Sequence, residues 1–143
     1  MQLRRKIGWN RGVNRRLLQA MIALLSLVPI VTGGAGVLLG PALVGTDIGS
    51  IASGTDLDSH FRYLSGVFLG VGLAFLATVP WIERATLVFR LLAGFVVLGG
   101  VARLLALLQN GHPSPPHLLG LVLELAVVPL LALWQARVAR TTR

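Results

Sequence analysis

The stretch LVFRLLAGFVVLGGVARLLALL, residues 87–108, decides the fold class. It is long enough to cross a hydrocarbon core, which takes about 20 residues of helix. A later stretch, LLGLVLELAVVPLLALWQA at residues 118–136, is just as apolar. Each contains a full charge at depth, Arg103 or Glu124, and such costly groups usually pair, face the protein interior or line a pathway. The sequence therefore predicts an integral membrane protein.

Two more apolar runs precede these, at about residues 17–44 and 63–81. The connections that follow the second and third runs are tight, which makes consecutive helices antiparallel neighbours. We therefore predict an all-α protein, an integral membrane four-helix up-down bundle over residues 17–136. A basic segment at residues 1–16 and a basic tail at residues 137–143 flank this single domain.

The first run has a second interpretation, because a basic segment precedes it as in a secretory signal peptide. The residues NRRLL at 14–18 also resemble a twin-arginine signal. However, the run extends well past the apolar part of a signal peptide, and no Ala-x-Ala cleavage site ends it. We expect it to be a retained span.

The placement of arginine predicts the orientation. Of the 13 basic residues all but Lys6 are arginine, and most lie at the two ends or between the second and third spans. The first loop, residues 45–60, is acidic. Because cytoplasmic segments carry the excess of Lys and Arg, both termini are predicted to be cytoplasmic, with Trp81 and Trp134 anchoring their spans on that side. The arginine- and alanine-rich composition is typical of a GC-rich bacterial genome, which indicates a bacterial inner membrane.

The net charge of +8 does not indicate a nucleic-acid partner. The basic residues stand just outside apolar spans, where they attract anionic lipid headgroups, and no basic face alternates with stacking aromatics. The N-terminal segment is interpreted either as an interfacial helix with Trp9 in the headgroups or as a disordered cationic segment. The absence of cysteine from the sequence excludes disulfides and thiolate chemistry.

Arg103 and Glu124 would both lie roughly 8–9 Å below the outer surface, at 1.5 Å per residue. A tight hairpin would bring them together as a bidentate pair. Asp58 and Arg62, four residues apart at the start of the second span, can pair if that helix starts early, or Arg62 can reach Glu124. Such a cluster either fixes helix register or binds an anionic headgroup, a small anion or a proton. The candidate site comprises Asp58, Arg62, Tyr63, Arg103, Gln109 and Glu124.

Three histidines fall on the same predicted side as two acidic residues, Asp56 and Asp58. Imidazole and carboxylate could ligate a divalent metal, but no recognised ligand spacing is present. We therefore expect no metal and no cofactor, with these histidines as weak candidates only. No nucleophile elbow, phosphate loop or paired-carboxylate motif occurs, so an enzyme is not expected. The histidines are His60, His112 and His117.

Small residues four apart let helix backbones approach closely. Such pairs are expected to serve packing within the chain or, alternatively, a homo-oligomer or another protein partner. Pro29 and Pro129 are expected to kink their helices near mid-span. The small-residue pairs are Gly36 with Gly40 and Gly66 with Gly70.

Three motifs carry a family resemblance: DSHFRYLSG at residues 58–66, GGVARLLAL at 99–107 and LELAVVP at 123–129. From about residue 17 to residue 134 the chain resembles the small bacterial membrane family labelled domain of unknown function 4345. The resemblance implies four membrane helices and no assigned activity. The recurring polar and proline positions of that family are matched by Arg62, Tyr63, Arg103, Glu124 and Pro129.

Three functions compete. The first is a non-enzymatic accessory or scaffold component in which the Arg103–Glu124 pair fixes helix packing. The second is binding or permeation of a lipid headgroup, a small anion or a proton through the outer polar cluster. The third, a membrane oxidoreductase partner, has only the analogy with other small four-helix families in its favour.

Overall fold

All regular structure is helical in the part of the chain that the computed structural model describes, residues 2–45 and 54–142. The all-α class is therefore confirmed. Short 3-10 helices follow the first two α-helices, at Gly40–Val44 and Val79–Trp81, and a π-helical segment, Leu123–Val127, joins the last two. The α-helices are α1 (Gln2–Leu39), α2 (Gly54–Thr78), α3 (Thr86–Asn110), α4 (Pro115–Val122) and α5 (Val128–Thr142).

Four helical stretches are long and apolar enough to cross a membrane. Their large apolar side chains point outward, and Leu38, Leu87 and Leu108 are each more than 70% exposed. An apolar surface of this extent suits lipid and is abnormal for a soluble monomer. The chain thus has the helices of a multi-pass membrane protein, as the sequence predicts. The four stretches are Gly12–Val44, Gly54–Trp81, Thr86–Asn110 and Pro115–Thr141.

Two helices extend beyond the apolar runs that predict them. α2 begins at Gly54, well before the expected start at about residue 63, and α1 includes residues 2–16. Hydropathy marks only the part of a helix that suits lipid, whereas polar turns continue the same helix outside it. The predicted headgroup contact of Trp9 and the acidic loop residue Asp47 lie outside the described side chains.

The chain divides into two compact units, which we call the internal unit, residues 21–79, and the terminal unit, residues 1–20 and 80–143. In the internal unit the second half of α1 runs antiparallel to α2, since Gly33 lies against Leu69 and Gly72 lies against Ile30. A Cβ at Gly33 would lie 2.6 Å from the Leu69 backbone nitrogen, so this close approach requires glycine.

In the terminal unit, α3 runs antiparallel to α4 and α5. Gly100 of α3 lies against Leu125, and the carbonyl of Ile82, just before α3, accepts a hydrogen bond from Gln135. The four largest fully buried side chains of the described residues all belong to this unit. They are Phe89, Leu18, Ile82 and Gln135.

The two prolines within the helical spans have different surroundings. Pro29 lies inside α1, which continues through it. Pro129 follows the π-helical segment, in which the Val128 N–H donates to the Leu123 carbonyl, five residues earlier. Proline has no N–H for the carbonyl four residues before it, here that of Leu125, and its ring crowds that carbonyl. At Pro129, where the sequence predicts a kink, the structure has a wide π-helical turn directly before the proline.

Candidate functional site

Arg103 of α3 and Glu124 form a bidentate ion pair, and the contact predicted from the hairpin is present. Arg103 Nε donates to Glu124 Oε2 at 3.0 Å, and Nη2 donates to Oε1 at 3.1 Å. The two side chains are 32% and 11% exposed, respectively. Parallel N–H···O bonds of this kind combine charge attraction with fixed geometry. Each charge is therefore neutralised by the other, and both carboxylate oxygens have donors.

Glycines on both helices make room for this pair. A Cβ at Gly100 would lie 2.8 Å from both Glu124 Cβ and Leu125 Cδ2, so any side chain there would push the helices apart. A Cβ at Gly120 would lie 3.7 Å from Arg103 Cζ, so the guanidinium packs against a position of α4 that has no side chain. The ion pair thus stands beside a close approach of α3 to the last span.

Glu124 belongs to the π-helical segment Leu123–Val127. In an α-helix the Val128 N–H would donate to the Glu124 carbonyl, but here it donates to the Leu123 carbonyl. Pro129 supplies no N–H to the Leu125 carbonyl. The wide turn therefore places two backbone carbonyls without their ordinary α-helical donors beside a buried carboxylate. Single π-helical turns of this kind occur frequently at functional sites.

Arg62 holds the C-terminal end of α1 in the internal unit. Its Nε donates to Asp58 Oδ2 at 2.8 Å, and its Nη1 donates to the carbonyls of Val37 at 2.6 Å and Leu38 at 3.0 Å. In a continuing helix those carbonyls would accept from residues 41 and 42, but Pro41 has no N–H and Gly40 turns the chain with φ +62°. Arg62 replaces the missing donors.

Four of the six predicted site residues thus form two ion pairs, one in each unit. The joining of these pairs into one cluster stays a prediction. Tyr63 is 66% exposed, and its ring centroid lies 6.5 Å from that of His60. Gln109 is exposed near the end of α3. Among the described residues, neither Tyr63 nor Gln109 hydrogen-bonds to the ion pair of its own unit.

The three candidate histidines belong to different elements. His117 Nδ1 is 2.9 Å from Ser114 Oγ at the start of α4, and His112 is exposed in the turn before it. His60 is exposed on α2, as is Asp56. Within residues 2–45 and 54–142, no three such side chains are grouped to hold a metal ion.

The two glycine pairs have different surroundings. A Cβ at Gly36 would lie 2.8 Å from Ser65 Cβ, and one at Gly40 would meet the side chains of Asp58 and Arg62. The first pair therefore serves packing of α1 on α2. A Cβ at Gly66 would meet only Val37 Cγ2, at 3.8 Å, and one at Gly70 would meet nothing within 4 Å. An oligomer formed through the second pair stays a prediction.

Sequence reasoning missed Gln135, which is fully buried in the terminal unit. Its Nε2 donates to the Ile82 carbonyl at 2.8 Å and to Thr86 Oγ1 at 3.0 Å, while its Oε1 has no partner in the structure. Gln135 follows Glu124 by about three helical turns, a spacing that puts both on one face of a regular helix. That spacing is the signal that could have revealed it.

Sequence reasoning also missed the partner of Arg15. The Nε of Arg15 lies 3.2 Å from Glu83 Oε1, and its Nη2 lies 3.5 Å from the Pro80 carbonyl. Arg15 therefore connects α1 to the segment before α3, and Gln135 of α5 hydrogen-bonds to the same segment. A signal was available, because Glu83 is the only acidic residue of the sequence on the predicted cytoplasmic side.

Comparison with known sequences identifies the family. No curated protein and no solved structure matches this chain. The family described as "Domain of unknown function (DUF4345)" matches residues 17–135, which include the Arg103–Glu124 and Arg62–Asp58 pairs. The match covers most of the 143 residues and confirms the family indicated by the three motifs. The chain therefore belongs to the DUF4345 family.

Proposed function

We propose that this chain is a non-enzymatic accessory or scaffold component of a membrane, in which the Arg103–Glu124 pair fixes the packing of α3 on the last span. The observation that carries the proposal is the bidentate geometry of the pair, with bonds of 3.0 and 3.1 Å. Both carboxylate oxygens accept hydrogen bonds from Arg103, as expected of a pair that fixes two helices against each other. Gly100 supports the proposal, because it admits the close helix contact at the same level.

Removal of either partner tests this proposal. Arg103→Ala and Glu124→Ala should each lower the free energy of unfolding, by about 3 kcal/mol for Arg103→Ala, which leaves the buried Glu124 charge unpaired, and by less for Glu124→Ala, since Arg103 is partly exposed. The exchange of the two charges, Arg103→Glu with Glu124→Arg, should recover more than half of that loss. Circular dichroism of unfolding in mixed micelles measures all three variants.

A result in which neither alanine variant loses stability contradicts the packing role. If the exchange variant is as unstable as the single variants, the loss of unfolding free energy depends on the residues around the pair rather than on the pair itself. Arg90→Ala is the matched control, since Arg90 is an exposed arginine on the same helix. It should change the free energy of unfolding by less than about 0.5 kcal/mol.

The second candidate function is binding or permeation of a lipid headgroup, a small anion or a proton at this pair. The specific observation in its favour is the π-helical segment, which contains Glu124 and two carbonyls without their ordinary α-helical donors. A third of the Arg103 side chain also remains exposed.

Native mass spectrometry of the chain in a mild detergent separates the two functions. A tightly held lipid or small anion that Arg103→Ala releases supports binding. A chain that carries no such molecule, but that loses stability in the alanine variants, supports packing. If the exchange variant folds and still does not retain the molecule, the pair has both roles.

The proposal includes an orientation. We infer a four-helix up-down bundle with both termini in the cytoplasm, in a bacterial inner membrane. The arginine excess at the two ends and near Arg84 supports this arrangement by the positive-inside rule. The exposed position of Trp81 at the same end supports it as well, because tryptophan prefers the membrane interface.

A further inference from the structure

The terminal unit has one strongly basic end. Arg15 lies beside Pro80 and Glu83, and Gln135 of α5 hydrogen-bonds to the Ile82 carbonyl in the same segment. These contacts bring the turn of α1 around Arg15, the segment before α3 and the second half of α5 together. We call this region, with its exposed arginines, the basic end. Among the residues whose side chains the structure describes, its exposed arginines are Arg16, Arg84, Arg137 and Arg140.

Acidic residues do not neutralise this charge. Glu83 is the one acidic side chain at the basic end among the described residues, and it pairs with Arg15. The four exposed arginines have no acidic partner in the part of the chain that the structure describes. Four like charges in one region repel each other and therefore favour an anionic ligand.

The surroundings of these arginines indicate the kind of ligand. Leu87 and Leu133 are 71% and 61% exposed, and Trp81 is 60% exposed, so apolar surface borders the arginines directly. Arg84 stands just before one candidate span, and Arg137 lies in the last turns of another. Charges at span ends, next to interfacial tryptophan, meet the headgroups of a bilayer.

We propose that the basic end binds the phosphate headgroups of anionic phospholipids through Arg16, Arg84, Arg137 and Arg140. Nucleic acid fits less well, because the arginines border lipid-suited apolar surface rather than stacking aromatics. The inference is independent of the packing role of Arg103. The two sites are well separated. Thr86, which begins α3 two residues after Arg84, lies about 25 Å from Arg103 along the helix, at 1.5 Å per residue.

Tryptophan quenching tests the proposal on the full chain in bilayers. Trp9→Phe leaves Trp81 and Trp134 as the fluorophores, both in the terminal unit. Quenching by phosphatidylglycerol with brominated acyl chains is compared with quenching by brominated phosphatidylcholine. The ratio of the two reports which headgroup is enriched around the basic end.

We expect a clear preference for phosphatidylglycerol. Each arginine changed to glutamine should reduce the preference by about fivefold, the factor that corresponds to the attraction of one charge near a membrane surface. Arg→Lys changes at the same four positions are the matched control and should retain the preference, because headgroup attraction depends on charge. In 1 M salt the Debye length is about 3 Å, so the preference should largely disappear.

Equal quenching by the two lipids in the Trp9→Phe chain overturns the proposal, and this test does not depend on any arginine variant folding. A preference that survives neutralisation of all four arginines also overturns it. A third outcome is an acidic polypeptide that co-purifies from native membranes and is released by the Arg→Gln changes but retained by Arg→Lys. That outcome would assign the basic end to a protein partner and overturn the lipid proposal.

Discussion

Glu124 illustrates how a single carboxylate becomes tolerable inside an apolar helix. Its side chain is 11% exposed, and an isolated charge in such surroundings would be neutralised or expelled. Two charge-assisted hydrogen bonds from Arg103 and the close approach at Gly100 keep it in place. Both the Arg103 partner and the space at Gly100 are therefore needed for the Glu124 carboxylate to lie inside an apolar helix.

Gly100→Ala tests whether that space is required. The added methyl group would lie 2.8 Å from Glu124 Cβ and Leu125 Cδ2, which forces the helices to shift. We expect the free energy of unfolding to fall by about 1–3 kcal/mol. Gly99→Ala is the control, because a Cβ at Gly99 meets nothing within 4 Å and alanine favours helix. Equal effects of the two substitutions would mean that the contact at Gly100 is not tight.

The sequence allowed the Arg103–Glu124 pair to be predicted because two charges stood out against apolar runs on either side of a tight turn. Gln135 could not be found in the same way, because a neutral amide in an apolar run carries no charge signal. Its burial depends on the Ile82 carbonyl, which comes from a distant part of the sequence. The Arg103 pair depended on hairpin geometry, whereas the spacing from Glu124 indicates only the helix face of Gln135, and its contact with Ile82 required the packed structure.

Arg62 caps the C-terminal end of α1. α1 ends where Gly40 and Pro41 stop the regular hydrogen bonding, and the guanidinium of Arg62 on α2 donates to its last carbonyls. The resemblance indicated that Arg62 matters, but its role as a cap could not be predicted. That role requires the register between α1 and α2, which small-residue spacing suggests but does not fix.

Arg62→Met should destabilise the internal unit more than Asp58→Asn. Methionine removes all three hydrogen bonds of Arg62, whereas asparagine at position 58 affects only one of them. The fall in melting temperature should therefore be about two to three times larger for Arg62→Met. Thermal unfolding in one detergent measures both variants. Equal losses would indicate that the ion pair, rather than the helix cap, is the contribution of Arg62.

The π-helical segment is another element that the sequence only partly reveals. Pro129 predicts a disturbance, and a kink is the usual expectation. Whether the helix kinks or takes up an extra residue in a wide turn depends on the contacts that the residues before and after Pro129 must make. Here Glu124, before the proline, must reach Arg103, and Gln135, after it, must reach the Ile82 carbonyl.

For the whole chain, four spans could be predicted from sequence because lipid demands long, uninterrupted apolar helices. The helical turns that precede the apolar part of α2 could not be predicted, because they lie outside that constraint. The arrangement of arginine is the second property of the whole chain. It underlies both the proposed orientation and the proposed contact with anionic lipid.

Single cysteines test the orientation, because the natural chain has none. In intact spheroplasts a membrane-impermeant maleimide should label Ser59→Cys and Ser114→Cys, which lie on the predicted outer side. Thr141→Cys should be labelled only after permeabilisation, and so should Arg84→Cys. All four positions are exposed, so labelling after permeabilisation is the internal control. Labelling of Thr141→Cys from outside would reverse the proposed orientation.

The most direct test of the central claim is the coupling free energy between Arg103 and Glu124 in a double-mutant cycle. The cycle compares unfolding of the unmodified chain, Arg103→Ala, Glu124→Ala and the double variant under one set of conditions. If the pair fixes the packing of α3 on the last span, the double variant should be about 2 kcal/mol more stable than the sum of the single losses predicts. Losses that simply add, with a coupling within about 0.3 kcal/mol of zero, would contradict the claim.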